Sequence, residues 1–266
     1  MIYGFIGLGN MANAIIRGMV LSGKFDKDTI LGFNRSPGKT ETLAREVGLV
    51  PAESAKDVAE RADVVVLAVK PQMMNDVLPL ITPVITPEKL VVSIAAGKPA
   101  AFYEQALQPG VPVVRVMPNI NAKVLAATTA VCAGATATQE HVALVKNMFE
   151  TVGGVYVLTE DQFPAFSALG GASGAFIHLY IDALASAGVK AGLPRQLSQN
   201  IASQTVLGSA KLTLESGEHP IALCDQICSP GGTTIEGVHT LKRLGFESAV
   251  QQAVDAIIAK DKSLAN

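Results

Sequence analysis

The segment 2–12 constrains this chain more than any other. Ile2-Tyr3-Gly4-Phe5-Ile6 is a short β-rich run that passes directly into Gly7-Leu8-Gly9-Asn10-Met11-Ala12, where an amphipathic helical pattern opens. G-x-G-x-x-A set between a strand and a helix is the dinucleotide-binding fingerprint. Gly7 allows a tight turn, Gly9 lets the backbone approach a pyrophosphate, and Ala12 lets helix and strand pack closely. The anion then rests on free amides of the helix start, with Leu8, Asn10 and Met11 completing the loop. The glycine pattern alone is a weak signal. Here strand, spacing and helix agree with it.

The runs 2–6, 30–33, 64–69, 90–94, 113–116, 128–132 and 155–157 read as strands, several of them apolar without alternation, as strands buried on both faces are. Helical patterns over 11–21, 38–46 and 139–151 lie between them, and this βα alternation predicts a doubly wound parallel sheet. Beyond residue 161 the texture changes to Ala, Leu, Gln and Ser, with helices expected over 161–191, 194–216 and 246–262 and no convincing strand. Gly192 stands where a helix stops and Pro194 in the first turn of the next. The expected fold is therefore α/β, a Rossmann-type domain over 1–160 followed by an all-helical domain over 161–266. The helix holding Phe176, Ile177, Leu179, Tyr180, Ile181 and Leu184 is apolar on more than one face, which a homodimer formed through these helices would bury.

Composition narrows the partners. The 266 residues are 49% hydrophobic and 17% charged, enough for a sizeable core and wrong for a disordered chain. A net charge of -2 leaves no electrostatic footprint for nucleic acid or an anionic membrane, so a small molecule or a second copy is the expected partner. The cysteines Cys132, Cys224 and Cys228 suit a reduced, cytoplasmic protein and form no disulfide framework or metal motif. The apolar N-terminus lacks the basic region of a signal peptide, and no run reaches the roughly 18 uninterrupted apolar residues of a membrane helix.

The strand ends supply the remaining cofactor candidates. An NAD site places a carboxylate after the second strand; this chain reads Asn34-Arg35-Ser36, a cation between two neutral hydrogen-bonding groups, which suits a 2′-phosphate. NADPH is favoured and NADH use stays open, Arg35 being readable also as a solvated loop residue. Ala68-Val69-Lys70-Pro71, Ala95 to Gly97, and Met117-Pro118-Asn119 end further strands where ligands of open α/β sheets sit. Lys70 is as well explained by turn shape as by catalysis. Asn119 can donate and accept near the nicotinamide.

Far along the chain, Ser229-Pro230-Gly231-Gly232-Thr233-Thr234-Ile235-Glu236 interrupts helical sequence. Thr233 to Glu236 fits a T-x-x-E capping box with Thr233 as N-cap. Amides around Gly232 to Thr234 are then free for a carboxylate or phosphate. A plain interhelical turn accounts for the same residues equally well.

Together FIGLGNMANAI, LAVKPQ, SIAAG, VVRVMPNINA and DQICSPGGTTIEGV resemble the pyrroline-5-carboxylate reductase family, in order and spacing over most of the chain, the last being the most specific. The resemblance implies hydride transfer from NAD(P)H to the imine carbon of Δ1-pyrroline-5-carboxylate, giving L-proline in the last step of proline biosynthesis. It implies a Rossmann domain, an intertwined helical dimer and, in some members, rings of dimers. It assigns Ser229, Gly231, Gly232, Thr233 and Thr234 to the substrate, with Thr234 hydrogen-bonding the ring nitrogen as the catalytic group; Asn119 is a further substrate candidate. No histidine–carboxylate pair stands out among His141, His178, His219 and His239, as suits an already electrophilic iminium. The chain departs from the family at Gly170 to Ala175, where a proline is usual, and at Glu53-Ser54, where an asparagine is. β-Hydroxyacid dehydrogenases share the first motif but need a lysine that GGASGAFIHLYIDA lacks. A cofactor-binding regulator without catalysis would have no need of SPGGTT.

Overall fold

A computed structural model describes residues 1–265; Asn266, the last residue of the expected second domain, lies outside them. The chain forms two compact units, 1–171 with 258–266, and 172–257. The expected boundary at 160/161 differs from this division because Phe163 and Phe166 bury themselves with Ala130 and Cys132 of the first unit.

The first unit is a wound sheet. Its elements run β1 (Tyr3–Ile6), α1 (Asn10–Leu21), β2 (Ile30–Phe33), α2 (Pro37–Val47), β3 (Val50–Pro51), α3 (Ala55–Arg61), β4 (Val64–Leu67), α4 (Met74–Ile81), β5 (Leu90–Ser93), α5 (Ala100–Ala106), β6 (Val113–Pro118), β7 (Ala127–Ala133), α6 (Gln139–Phe149), β8 (Gly153–Val157) and α7 (Phe163–Phe166). The sheet order is β3-β2-β1-β4-β5-β6-β7-β8. Pairing is parallel from β3 through β6, then antiparallel between β6 and β7 and parallel again between β7 and β8. The sheet is thus not wholly parallel. Only a short 3₁₀ segment, Ile120–Val124, joins β6 to β7, too little chain for a crossover helix.

Alternate residues of the central strands feed two cores. Phe5, Val64, Val66, Val92 and Val114 pack under α1 and α6, while Ile6, Val65, Leu67, Val91 and Val113 pack under α3, α4 and α5. Both faces are covered, which explains the unbroken apolar runs. The sheet's β1–β4 ends therefore emerge between two helical layers, where a cleft forms.

The second unit holds α8 (Gly174–Lys190), α9 (Arg195–Ser216), α10 (Pro220–Ile227), α11 (Thr233–Arg243) and most of α12 (Phe246–Ala265). The expected helix 161–191 is not continuous. A 3₁₀ turn (Glu160–Gln162), α7 and a π-helical stretch (Ser167–Ala172) precede α8. Paired glycines at 170 and 171 permit that widened turn, a feature frequent at functional sites. Pro194 is the N-cap of α9, one place earlier than the first turn, and Gly192 (φ 97°) stops α8. Helices α8 and α9 pack on one another, and among described side chains Ala185 is the one buried residue of α8. Leu179 is 70% exposed and Leu207 61%. Apolar faces this exposed mark an interaction surface.

Candidate functional site: a nucleotide cleft and a second bare helix start

The first glycine of the fingerprint is held by packing. Gly7 has φ 95°, its N–H donates to the Phe33 carbonyl (2.8 Å), and a Cβ there would lie 2.8 Å from Val69 Cγ1 and 2.9 Å from the Ala68 carbonyl carbon. Gly9 is the N-cap of α1, extended at φ −75° and ψ −176° with no capping side chain, and a Cβ on it would meet open space. The amides that open α1 are bare, and they face a cleft. Ala12 is buried against the sheet, as close packing of helix on strand requires.

That cleft, about 370 Å³, is lined by Gly7, Gly9, Asn34, Arg35, Ala68, Val69 and Lys70, all named from sequence, and by Lys39, which was not. Asn34 serves the loop, its Oδ1 accepting from Leu8 N–H (3.1 Å) and its amide donating to the Ser36 carbonyl (3.3 Å). Arg35 is exposed and lines the cleft. Ser36 caps α2 in position, without a side-chain bond. Lys39, in the first turn of α2, puts a third cation in the cleft beside Arg35 and Lys70; the signal available in sequence was its placement one turn after Ser36. Phe33, Met73, Val77 and Leu80 form an apolar wall suited to a planar base. Lys70 begins the 3₁₀ turn Pro71–Met73, so its backbone shapes that turn while its side chain lines the cleft.

Other candidates have structural duties. Ala95 donates its N–H to Ser93 Oγ (3.3 Å), and Gly97 stands at φ 73° with open space around it. Met117 packs beside Phe163 and Phe166, and Pro118 ends β6. Asn119 spends most of its amide on the fold: Oδ1 accepts from the N–H groups of Asn121 and Thr128 (both 3.2 Å), and Nδ2 donates to the Gly170 carbonyl (2.7 Å). One amide N–H is left for a ligand. At Glu53-Ser54, Ser54 Oγ accepts from Asp57 N–H (3.0 Å) and Asp57 accepts from Glu53 N–H (2.9 Å), so a reciprocal cap of α3 occupies this place. His141 Nδ1 accepts from Thr138 N–H (3.0 Å) and His219 Nδ1 from Ile221 N–H (3.2 Å), which makes both rings helix caps.

In the second unit the SPGGTT segment corrects one expectation. The N-cap of α11 is Gly232, not Thr233, and no side chain caps it. Gly232 N–H donates to the Ser229 carbonyl (3.0 Å), closing a turn with Pro230 second and Gly231 (φ 69°) third, the residue pattern of a type II turn. Gly232 is therefore the extended residue (φ −79°, ψ 172°) and Thr233 is already helical. Glu236 then falls one place past N3, and the N-cap amide, that of Gly232, is spent on the turn. Ser229, Thr233 and Thr234 are exposed beside the uncapped helix start. This removes the capping box: of the three amides expected to be free, that of Gly232 closes the turn, while Thr233 and Thr234 open a helix with no side-chain cap.

Fold and cleft define a nicotinamide-dinucleotide-dependent oxidoreductase class, with a Rossmann-type sheet and a helical assembly domain. Residues 2–97 match the family model described as NADP oxidoreductase coenzyme F420-dependent, and residues 160–264 match that of pyrroline-5-carboxylate reductase dimerisation. The chain is 42% identical to pyrroline-5-carboxylate reductase of Escherichia coli (strain K12) over 98% of its length and 97% of the relative's. Its structure resembles the enzyme of that name from Coxiella burnetii with a TM-score of 0.95 at 32% identity, covering 99% and 98% of the two chains. It also resembles the Plasmodium falciparum pyrroline carboxylate reductase with NADP bound (TM-score 0.86, 30% identity, 100% and 98% covered). The chain belongs to the pyrroline-5-carboxylate reductase family.

Proposed function

We propose that this protein reduces Δ1-pyrroline-5-carboxylate to L-proline with NADPH. The observation that carries the reading is the pair of uncapped helix starts, one in a dinucleotide cleft and one at Thr233 and Thr234, in a chain alike over nearly its whole length to reductases of that name. Residues 1–160 hold the cofactor, and 161–266 bind substrate and a second copy of the chain.

The nucleotide residues fit the cofactor: Gly7 and Gly9 open the backbone to a pyrophosphate, the apolar wall takes the adenine, and Arg35 with Lys39 takes a 2′-phosphate. The bound nicotinamide supplies the hydride that reduces the imine carbon. The chain's own work is orientation. Amides and hydroxyls from Ser229 to Thr234 hold the substrate carboxylate, and Thr234 Oγ1 orients the ring nitrogen, which enters as the protonated iminium and leaves as the amine. A positioned neutral hydroxyl suffices because the iminium is already electrophilic. The exposed faces of α8 and α9 close a homodimer, with rings of dimers a further assembly. We read the apolar stretch Glu160–Lys190 (mean hydropathy 1.2) as part of that interface rather than a membrane span, since its first turns are buried in the sheet unit and Asp182 lies within α8. Unpaired cysteines fit a cytoplasmic protein, and a net charge of -2 fits one without nucleic-acid partners.

The test is NADPH oxidation with pyrroline-5-carboxylate, beside 3-hydroxyisobutyrate with NAD. Turnover with the imine alone is expected; turnover with the hydroxyacid alone overturns the reading. Within the site, Thr234→Ala is expected to lower kcat/KM by about ten- to two-hundredfold, the value of a hydrogen bond to a charged group. Undiminished turnover would remove Thr234 from the mechanism.

A further inference from the structure

A satisfied polar network lies under the β5–α5 loop, and only its Ala95–Ser93 bond has entered the site described so far. Glu160 Oε1 accepts two hydrogen bonds, from Arg115 Nη1 (2.8 Å) and from the backbone N–H of Ala100 (3.0 Å). Ala100 opens α5, so this carboxylate fixes the far end of the loop 94–99. Arg115 is 8% exposed and stacks over Phe163, with its guanidinium carbon 4.1 Å from the ring centroid. In register beside it on β5 is Ser93, wholly buried, which donates to the Tyr103 hydroxyl (2.6 Å) and accepts from Ala95 N–H (3.3 Å). Ser93 therefore fixes the near end of the same loop. Between the two anchors, Ala96 and Gly97 are exposed and Gly97 sits at positive φ with no side chain within 4 Å. A loop free in the middle is thus clamped at both ends.

Each bond has a cost if it is lost. Without Glu160, Arg115 is a buried cation with no carboxylate, and the Ala100 amide loses its acceptor. A loop that must meet a ligand edge-on gains from anchors that hold its backbone to a fraction of an ångström.

We propose that Glu160 and Ser93 are positioning residues for the cofactor: through Ala100 and Ala95 they hold the 95–97 backbone in the shape that binds NADPH. This rests on the reading of Ala95 and Gly97 as cofactor contacts. Glu160 reaches the loop from 60 residues away in sequence, so the start of the segment leading into the helical unit is tied to the cofactor loop. Neither residue touches the reacting atoms.

The test is fluorescence titration of NADPH against the full-length protein, with a thermal melt of each variant. Glu160→Ala is expected to raise the NADPH Kd about tenfold, and Glu160→Gln, whose amide oxygen still accepts both bonds, to restore it to within about threefold. Where turnover is followed, the KM for pyrroline-5-carboxylate stays within about twofold. A purely structural role would lower the melting temperature and leave Kd unmoved, and that result overturns the proposal. Should Glu160→Ala not fold, Ser93→Ala removes the Ala95 acceptor without stranding a charge; it should raise Kd about threefold, and an unchanged Kd in that folded variant is equally contrary. Gly97→Val separates the two layers of the argument. If it leaves Kd unchanged, the loop does not meet the cofactor and the underlying assignment falls with the proposal. If it raises Kd while folded Glu160→Ala and Ser93→Ala do not, the loop meets the cofactor and the anchoring role is wrong.

Discussion

Two glycine turns, one near each end of the chain, arrive at the same local geometry by different means. At the first, Gly7 (φ 95°) precedes Gly9, an extended N-cap at φ −75° and ψ −176°; at the second, Gly231 (φ 69°) precedes Gly232, an extended N-cap at φ −79° and ψ 172°. Neither helix has a side-chain cap, so both present bare amides. The surroundings separate them. Gly7 is pressed against Val69 and the Ala68 backbone within a sheet, whereas a Cβ on Gly231 would meet open space. The first cradle is preformed by a core. The second is shaped by its own turn, in a unit that leaves many large apolar side chains exposed.

This difference can be broken by substitution. Gly7→Ala combines a left-handed backbone with contact against main chain that cannot retreat, so it should cost about 2–4 kcal/mol of stability. NADPH should then no longer raise the melting temperature, as ligand linkage otherwise requires. A full NADPH-dependent shift in that variant would mean that the first turn tolerates a side chain after all. Next in size, Arg35→Ala with Lys39→Ala should lower kcat/KM for NADPH about a hundredfold with NADH nearly unaffected, each cation being worth about 1.5 kcal/mol at a phosphate. Equal losses with both cofactors would place these cations elsewhere. Gly231→Ala meets only the backbone penalty, about 1 kcal/mol, and should raise the KM for pyrroline-5-carboxylate about fivefold while leaving that for NADPH alone.

The smallest effect concerns pH. Burial pushes the Tyr103 hydroxyl up from its ordinary value, against a smaller lowering by Ser93 and Arg115. The folded state thus holds this proton more tightly than the unfolded chain. The contribution is intact below about pH 10, where a free tyrosine titrates, and is lost as pH rises further. Tyr103→Phe should flatten the alkaline fall in melting temperature between about pH 9 and 11, relative to wild type. An unaltered slope would assign that fall to other groups.

The two turns also show what a sequence discloses. The first was legible because strand, glycines and helix are contiguous, and the apolar runs of β1, β4 and β5 announce burial on both faces. Strand β3 escaped notice because Val50-Pro51 is too short for any pattern. At the second turn T-x-x-E spelled a capping box, yet spacing cannot tell which residue is extended; Pro230 and Gly231 settle that by closing a turn one residue earlier. The π-helical stretch at 167–172 changes hydrogen bonding without changing composition. Glu160 and Arg115 meet through the fold across 45 residues, a distance at which no local motif speaks. Lys39 was missed for a simpler reason, since a helical lysine one turn from Ser36 looks like any solvated charge until the cleft is seen.

The central claim is that a hydride from the nicotinamide ends on the imine carbon held at the second turn. The direct measurement is isotopic: incubation with pyrroline-5-carboxylate and NADPH dideuterated at nicotinamide C4, followed by mass spectrometry and NMR of the product. The account predicts L-proline carrying a single deuterium at C5. Oxidation of the cofactor with unlabelled proline, or no proline at all, would contradict it.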